Sequence, residues 1–357
     1  MRQHQRGVAL IIALVLVALA TILATKIGFD GYLERQRTVG VLAVEQALQF
    51  GMGAEALAAD GLGQSANSSS SAKPGTGAKS GTGAKSGASG NPGGGAQPSG
   101  QVTLADPWAQ PIPPIPITPE SNPDGEPIGT IEGTLEDMQG RFNLNNLARV
   151  DATGKLDPQP VAQFQRLLIS VKVEPEWAEK AADWIDADDQ PRANGAEDAV
   201  YTSQDPPYRT GNWPLLSPTE LMNLPGFGAE RYRKIAPYVT ALPTATAQIN
   251  VCTAPAYVLE SLANNMNGEY SGNPQVLIAG RKAGCFPDPG TFGNVLTSAS
   301  PAEAPQVKKW YGETSDYFRL TTHVTLGTTE FTLYSLLHRH GGPGGKFTPV
   351  LRSFGSL

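Results

Sequence analysis

The chain of 357 residues predicts an α+β protein, with a long N-terminal α-helix packed on a small antiparallel sheet and a large, mostly α-helical domain inserted. Three observations carry that expectation. An uncharged run, Val8 to Thr25, follows the short basic stretch MRQHQRG. Alternating strand-like text occurs near residue 130 and again at the C-terminal end, and helical periodicity fills the interval between.

The apolar run reaches about 27 Å as a helix, close to the thickness of a bilayer's hydrocarbon core. It is too long for the apolar part of a secretory signal, and no small-x-small cleavage site follows. Arg2 and Arg6 on the short side predict a cytoplasmic N-terminus, with the remaining chain on the far side of the membrane. Beyond the membrane, Phe29, Tyr32, Leu33, Gln36, Val39, Ala43, Ala47 and Phe50 keep a helical spacing, so the helix is expected to continue over 26–60.

Residues 61–125 change character. Gly, Ser, Ala, Thr and Pro dominate, with a GTGAKS repeat at 75–80 and 81–86 and a proline-rich stretch from 107, which reads as a disordered insertion and linker. A phosphate-binding loop is excluded because Ala78 and Ala84 stand where that motif requires Gly. GTIEGTLEDMQGRFNLNNL (129–147) then reads as the first part of the sheet, 126–150. Ser/Thr caps and i, i+3, i+4 spacing mark the inserted helical domain, 151–308. In 309–357, Phe318, Leu320, Val324 and Leu326 face Phe331, Leu333, Ser335 and Leu337 across a turn at Gly327, as in a β-hairpin. His338 and His340 read as exposed residues of the tail.

A net charge of −6 disfavours nucleic acid as a general partner. Cys252 and Cys285 are the two cysteines, and in an oxidising periplasm a bridge between them would add about 3–4 kcal/mol, against the alternative of two buried thiols. The block DWIDADDQPRANGAEDAVY gathers Asp183, Asp186, Asp188, Asp189, Glu197 and Asp198. Asp186, Asp188, Gln190, Asn194 and Glu197 fall at the oxygen-bearing positions of an EF-hand loop, but Pro191 replaces its required Gly. These carboxylates repel one another unless solvated or bridged by a hard cation, calcium being the natural one; a solvent-facing acidic helix end explains the block as well. LMNLPGFGAERYRKIAPYV (221–239) has the form of a helix-hairpin-helix, which in other proteins offers backbone N–H groups to DNA phosphates. A membrane-tethered DNA-uptake receptor is therefore the alternative function, although no strong basic face accompanies the motif. The four histidines and two cysteines form no catalytic pattern, and no enzyme activity is expected.

The junction Arg6-Gly7-Val8 resembles a prepilin processing site. That likeness implies a leader, 1–7, removed by prepilin peptidase after Gly7, and methylation of Val8, ahead of a membrane helix over 8–25. The blocks GRFNLNNL, DWIDADDQPRANGAEDAVY, PYRTGNWPLLSPTEL, INVCTAPAYVLESL and YFRLTTHVTL, together with Ile12 at the fifth mature position where prepilins usually carry Glu, resemble the K-type minor pseudopilins of type II secretion. The resemblance implies a type IV pilin-like fold interrupted by an α-domain and a place at the pseudopilus tip. It further implies I- and J-type minor pseudopilins, the major pseudopilin and an inner-membrane assembly platform as partners, and bound calcium at the acidic block. Two departures are Val8, where Phe is common, and the Gly/Ser-rich insertion.

Overall fold

The computed structural model describes residues 5–70, 101–119, 121–122, 124–151, 153–262, 275–281, 284–286, 292, 308–342 and 344–354. The GTGAKS repeat and most of the Gly/Ser-rich stretch lie outside the described residues, as does much of the stretch 263–307.

Helix α1 runs from Gln5 to Ser70, 66 residues, about 100 Å at the usual rise. It ends nearly three turns beyond the expected end near 60. The reason is visible at Leu62, which is buried against Val102, Trp108 and Phe318 and rewards continuation of the helix through Gly61 and Gly63. Leu10 to Gln64 includes a window of mean hydropathy 2.6, long and apolar enough to cross a membrane, and none of that window is buried within the protein. Phe29, Tyr32 and Val39 are exposed as well, and Ala47 is the first buried residue along the described part of the helix.

The sheet has five strands in the order β1-β2-β7-β8-β9: β1 (Ile115–Ile117), β2 (Gly129–Asp137), β7 (Tyr317–Leu326), β8 (Thr329–His340) and β9 (Lys346–Ser353). The neighbours β2 and β7 are separated in sequence by the whole helical insertion. That insertion contains β3 (Phe142–Asn143), α2 (Pro158–Ser170), α3 (Trp177–Ile185), α4 (Asp198–Tyr201), α5 (Gly228–Ile235), β4 (Val239–Thr240), β5 (Ile249–Asn250), α6 (Ala256–Leu262), α7 (Gln275–Ala279) and β6 (Tyr311–Gly312).

The chain divides into two compact units. The first comprises 1–54, 114–132 and 323–332. Its small core is Ala47, Ile117 and Val324, flanked by Ile131, Leu326 and Phe331. β1 pairs antiparallel with the start of β2, Ile115 opposite Ile131, and Gly327 turns the hairpin at φ +57°, a conformation Gly adopts without penalty. The second unit holds 55–113, 133–322 and 333–357. There Glu55 of α1 accepts hydrogen bonds from Ser335 (2.6 Å) and from Arg352 Nε and Nη2 (2.9 and 2.7 Å), fastening the helix to β8 and β9. Burial alone would raise the Glu55 pKa, but the bonds and charge of Arg352 and the Ser335 hydroxyl hold it below its ordinary value.

Two boundaries expected from sequence shift. The linker reading of 61–125 fails at both ends, because α1 reaches Ser70 and because Trp108 is buried edge-on against Phe318 while 115–117 joins the sheet. The C-terminal region is a three-stranded meander, not a hairpin with a tail. β9 pairs with β8 from Tyr334–Ser353 to His340–Lys346, which puts His338 within β8, half-buried and stacked on Tyr317 at 4.4 Å, and His340 at the end of the strand, exposed as expected. Phe347, buried against Phe318, is the apolar group that recruits this strand.

The inserted region is stitched where it begins and ends. Asn143 accepts from Leu242 N (2.9 Å) and donates to Thr244 O (2.6 Å). Asn145 donates to Leu215 O and Leu242 O and accepts from Leu215 N. Asn146 exchanges two bonds with Ala247. Asp137, at the end of β2, is buried and accepts four bonds, from Gln139 N, Asn250, Thr253 and Ser315. Nearby, Cys252 and Cys285 form a disulfide with Cα atoms 4.4 Å apart, so the bridged alternative is the one adopted.

Candidate metal centre in the inserted domain

The acidic block begins on α3, whose Trp177, Ala178, Ala181, Ala182, Trp184 and Ile185 are buried in the main core. Asp183 shares that buried face, an environment that requires a partner for its charge. Arg192 supplies it. One Nη1 atom of Arg192 donates to Asp183 Oδ1 and, at 2.6 Å, to Asp186 Oδ2, while Arg192 N donates to Asp183 Oδ2 at 3.1 Å. Gly195 lets the loop lie this close, since a Cβ there would overlap Asp183 Oδ2. The helix ends at Asp186, whose extended backbone (ψ 169°) turns the chain into the loop. Asn194 N then donates to Glu179 Oε2 at 2.7 Å, and the loop closes at Glu197, the residue preceding α4.

This path brings together Asp186, Asp188 and Glu197, one carboxylate oxygen from each lying within 4.8 Å of the others. The three are the first, third and twelfth positions of the loop. Glu197 is 6% exposed and Asp186 3%. Both Glu197 oxygens and Asp186 Oδ1 are buried with no hydrogen-bond partner. Burial first, and then the charges of Asp183, Asp186, Asp188 and Asp189, push the Glu197 pKa up to about 7. Unpartnered buried carboxylate oxygens are costly, and a hard divalent cation is the group whose chemistry matches this all-oxygen donor set. The residues present therefore fit calcium.

The other three acidic residues of the block stand apart from this cluster. Asp183 is consumed by Arg192 and the loop backbone. Asp198 accepts from Thr210 N and Oγ1 (3.0 and 2.8 Å) and pairs with Arg209 at 3.2 Å. Asp189 is exposed and contributes only its field. Spacing identified the ends of the loop but not Arg192, although it is the one basic residue within the block, and the internal counter-ion could have been read from that.

The helix-hairpin-helix text forms a hairpin through Gly226 and Gly228, both at positive φ, into α5. Its Phe227 is buried edge-on against Trp177 at 5.3 Å. Arg231 forks onto Glu174 with two bonds of 2.8 Å and returns a third to Gly226 O. The apolar tip and the cation that a DNA phosphate would meet are spent on packing within the domain, and the DNA-binding alternative is without support.

A long N-terminal helix fastened to an antiparallel sheet, with a helical domain inserted between adjacent strands, defines a pilin-like subunit with an enlarged head. Residues 140–244 match the family model described as type II secretion system (T2SS), protein K. Type II secretion system protein K of Klebsiella pneumoniae is 30% identical over 347 residues, covering 96% of this chain and 94% of that protein. The Pseudomonas aeruginosa protein is 30% identical over 362 residues, covering 99% and 94%. Among solved structures, the crystal structure of the GspK-GspI-GspJ complex from enterotoxigenic Escherichia coli matches with a TM-score of 0.69 at 26% identity, covering 90% of this chain and 100% of that chain. The chain belongs to the type II secretion system protein K family. It is a minor pseudopilin, a structural component of the secretion machinery.

Proposed function

We propose that this subunit stands first in the pseudopilus, at its tip, joined to I- and J-type minor pseudopilins, and that the complex primes assembly of the major pseudopilin on the inner-membrane platform for protein export across the outer membrane. The observation that carries the reading is the insertion between β2 and β7. A head enlarged in this way obstructs a subunit stacked above it and is tolerated at one end of a filament. Ile12 supports the same place. A carboxylate at that position would neutralise the N-terminal amine of a neighbour within the apolar bundle, where a lone charge is costly, and the first subunit needs none. The similar solved chain is described as part of a complex with I and J proteins. Co-purification of the full chain in detergent with the I and J proteins of its own system is the test. A stable ternary complex is expected, and the reading is abandoned if neither protein is retained.

The leader boundary belongs to the same reading. Prepilin peptidase cuts after Gly7 and Val8 is methylated, leaving the membrane helix with its N-terminus cytoplasmic and the remainder periplasmic. Gly7→Ala is expected to block processing, so that the protein migrates as a band heavier by the leader and Val8 is unmethylated in mass spectra. Normal cutting of the variant would end the prepilin account.

Calcium is the proposed structural ion, held by Asp186, Asp188 and Glu197. When bound it supplies positive charge to oxygens that have no other partner and ties the end of α3 to the start of α4 through Asp186 and Glu197.

A further inference from the structure

We propose that Arg192 is the positioning residue of this cation site, a fixed internal counter-ion that holds Asp186 by one carboxylate oxygen and leaves the other unbonded within the cluster formed with Asp188 and Glu197. The inference rests on the calcium reading above. One Nη1 atom of Arg192 spans Asp183 and Asp186, whose side chains are 0% and 2% exposed. Asp183 has each oxygen engaged by Arg192, through Nη1 and through the backbone N–H. Asp186 is different: Oδ2 is held at 2.6 Å while Oδ1 is buried without a partner.

A guanidinium carries five N–H donors, yet none reaches the three orphaned oxygens of Asp186 and Glu197. The arginine therefore engages one oxygen of Asp186 and leaves the other, together with both oxygens of Glu197, as vacant acceptors. Arg192 also balances the charge of Asp183, which leaves the three clustered carboxylates of Asp186, Asp188 and Glu197 to a divalent ion. Its backbone begins the return of the loop, Gly195 N donating to Arg192 O at 3.0 Å, so the same residue sets both the aim of Asp186 and the path that delivers Glu197. Outer partners that orient ligating carboxylates commonly contribute 10–100-fold to metal affinity.

The competing role is a cation that occupies the site and must leave when metal arrives. The two roles have opposite signs. Calorimetric titration of the full chain in detergent with calcium chloride, for the unaltered protein, Arg192→Lys and Arg192→Gln, separates them. A lysine keeps the charge but not the planar fork. Both variants are expected to bind calcium about 10–100-fold more weakly, with Arg192→Lys melting in chelator close to the unaltered protein, so that the loss is one of positioning and not of folding. Affinity equal to or greater than that of the unaltered chain in Arg192→Lys overturns the proposal and leaves the calcium site standing. An unaltered chain that takes up no calcium overturns both. If Arg192→Gln fails to melt cooperatively, the lysine variant decides.

Discussion

Glu197→Gln is expected to stabilise the metal-free protein and to weaken its calcium response, two effects of opposite sign from one substitution. The Glu197 carboxyl has a pKa of about 7 in the folded chain against an ordinary 4.5. A raised carboxyl pKa means that folding favours the protonated form. The associated stability is complete below about 4.5 and is lost as pH rises through about 7. At pH 8 without metal, the buried charge thus costs about 3 kcal/mol. Melting of the full chain in chelator is expected to shift upward by a few degrees as pH falls from 8 to 6, and Glu197→Gln is expected to remove that shift by raising the pH 8 value. Calcium acts on the same oxygens. At a free concentration of about 100 times Kd it adds about 2.7 kcal/mol to the unaltered chain, and the gain shrinks sharply in Glu197→Gln and in Asp186→Ala/Glu197→Ala. Calcium binding should also release a proton near pH 6–7, so affinity falls as pH drops through that range. Melting temperatures indifferent to calcium and chelator at pH 8 would remove the metal from the account.

The second large effect is expected at Asp137. Its Oδ2 accepts from Asn250 (2.9 Å), Thr253 (2.6 Å) and Ser315 (2.6 Å), and Oδ1 accepts from Gln139 N at 2.8 Å. Burial raises its pKa, against the pull of those bonds. Asn250 meanwhile donates to Val102 O and accepts from Cys252 N, so the junction extends to the disulfide. Asp137→Ala strands donors from four separate positions in a dry site and is expected to cost about 3–4 kcal/mol. Asp137→Asn is expected to recover little, because its amide N–H₂ meets donors in place of acceptors. The denaturant midpoint of the full chain checks this. A loss below about 1 kcal/mol for Asp137→Ala would show that the junction is held elsewhere.

Much of the architecture was legible in the residues because one-dimensional patterns decide it. The uncharged run before Thr25 and the alternation of Phe318, Leu320, Val324, Leu333 and Leu337 are local signals, and the structure realises them as a helix and a hairpin. Contacts that depend on distant partners left weaker traces. The length of α1 is settled by Leu62 meeting Trp108 and Phe318, which no window around residue 62 contains. β9 carries Pro349 and few apolar residues, and it is a strand because Phe347 finds Phe318. At the acidic block, carboxylate spacing selected Asp186, Asp188 and Glu197 but also swept in Asp183, Asp189 and Asp198. Their separation depends on which side of α3 is buried and on Arg192 and Thr210, facts of three dimensions. Asn143, Asn145 and Asn146 were visible as a motif, while their partners at 215 and 242–247 were not.

Those asparagines have a consequence for how the subunit can diversify. They tie residues 143–146 to 242–247, so the two ends of the intervening chain are held side by side. That segment nearly coincides with the 140–244 stretch matching the family model. A stretch whose ends are fixed together can change in length at its loops without moving those ends, whereas its helix α2 must keep the face that meets α6, where Gln163 and Arg166 bond to Ser261.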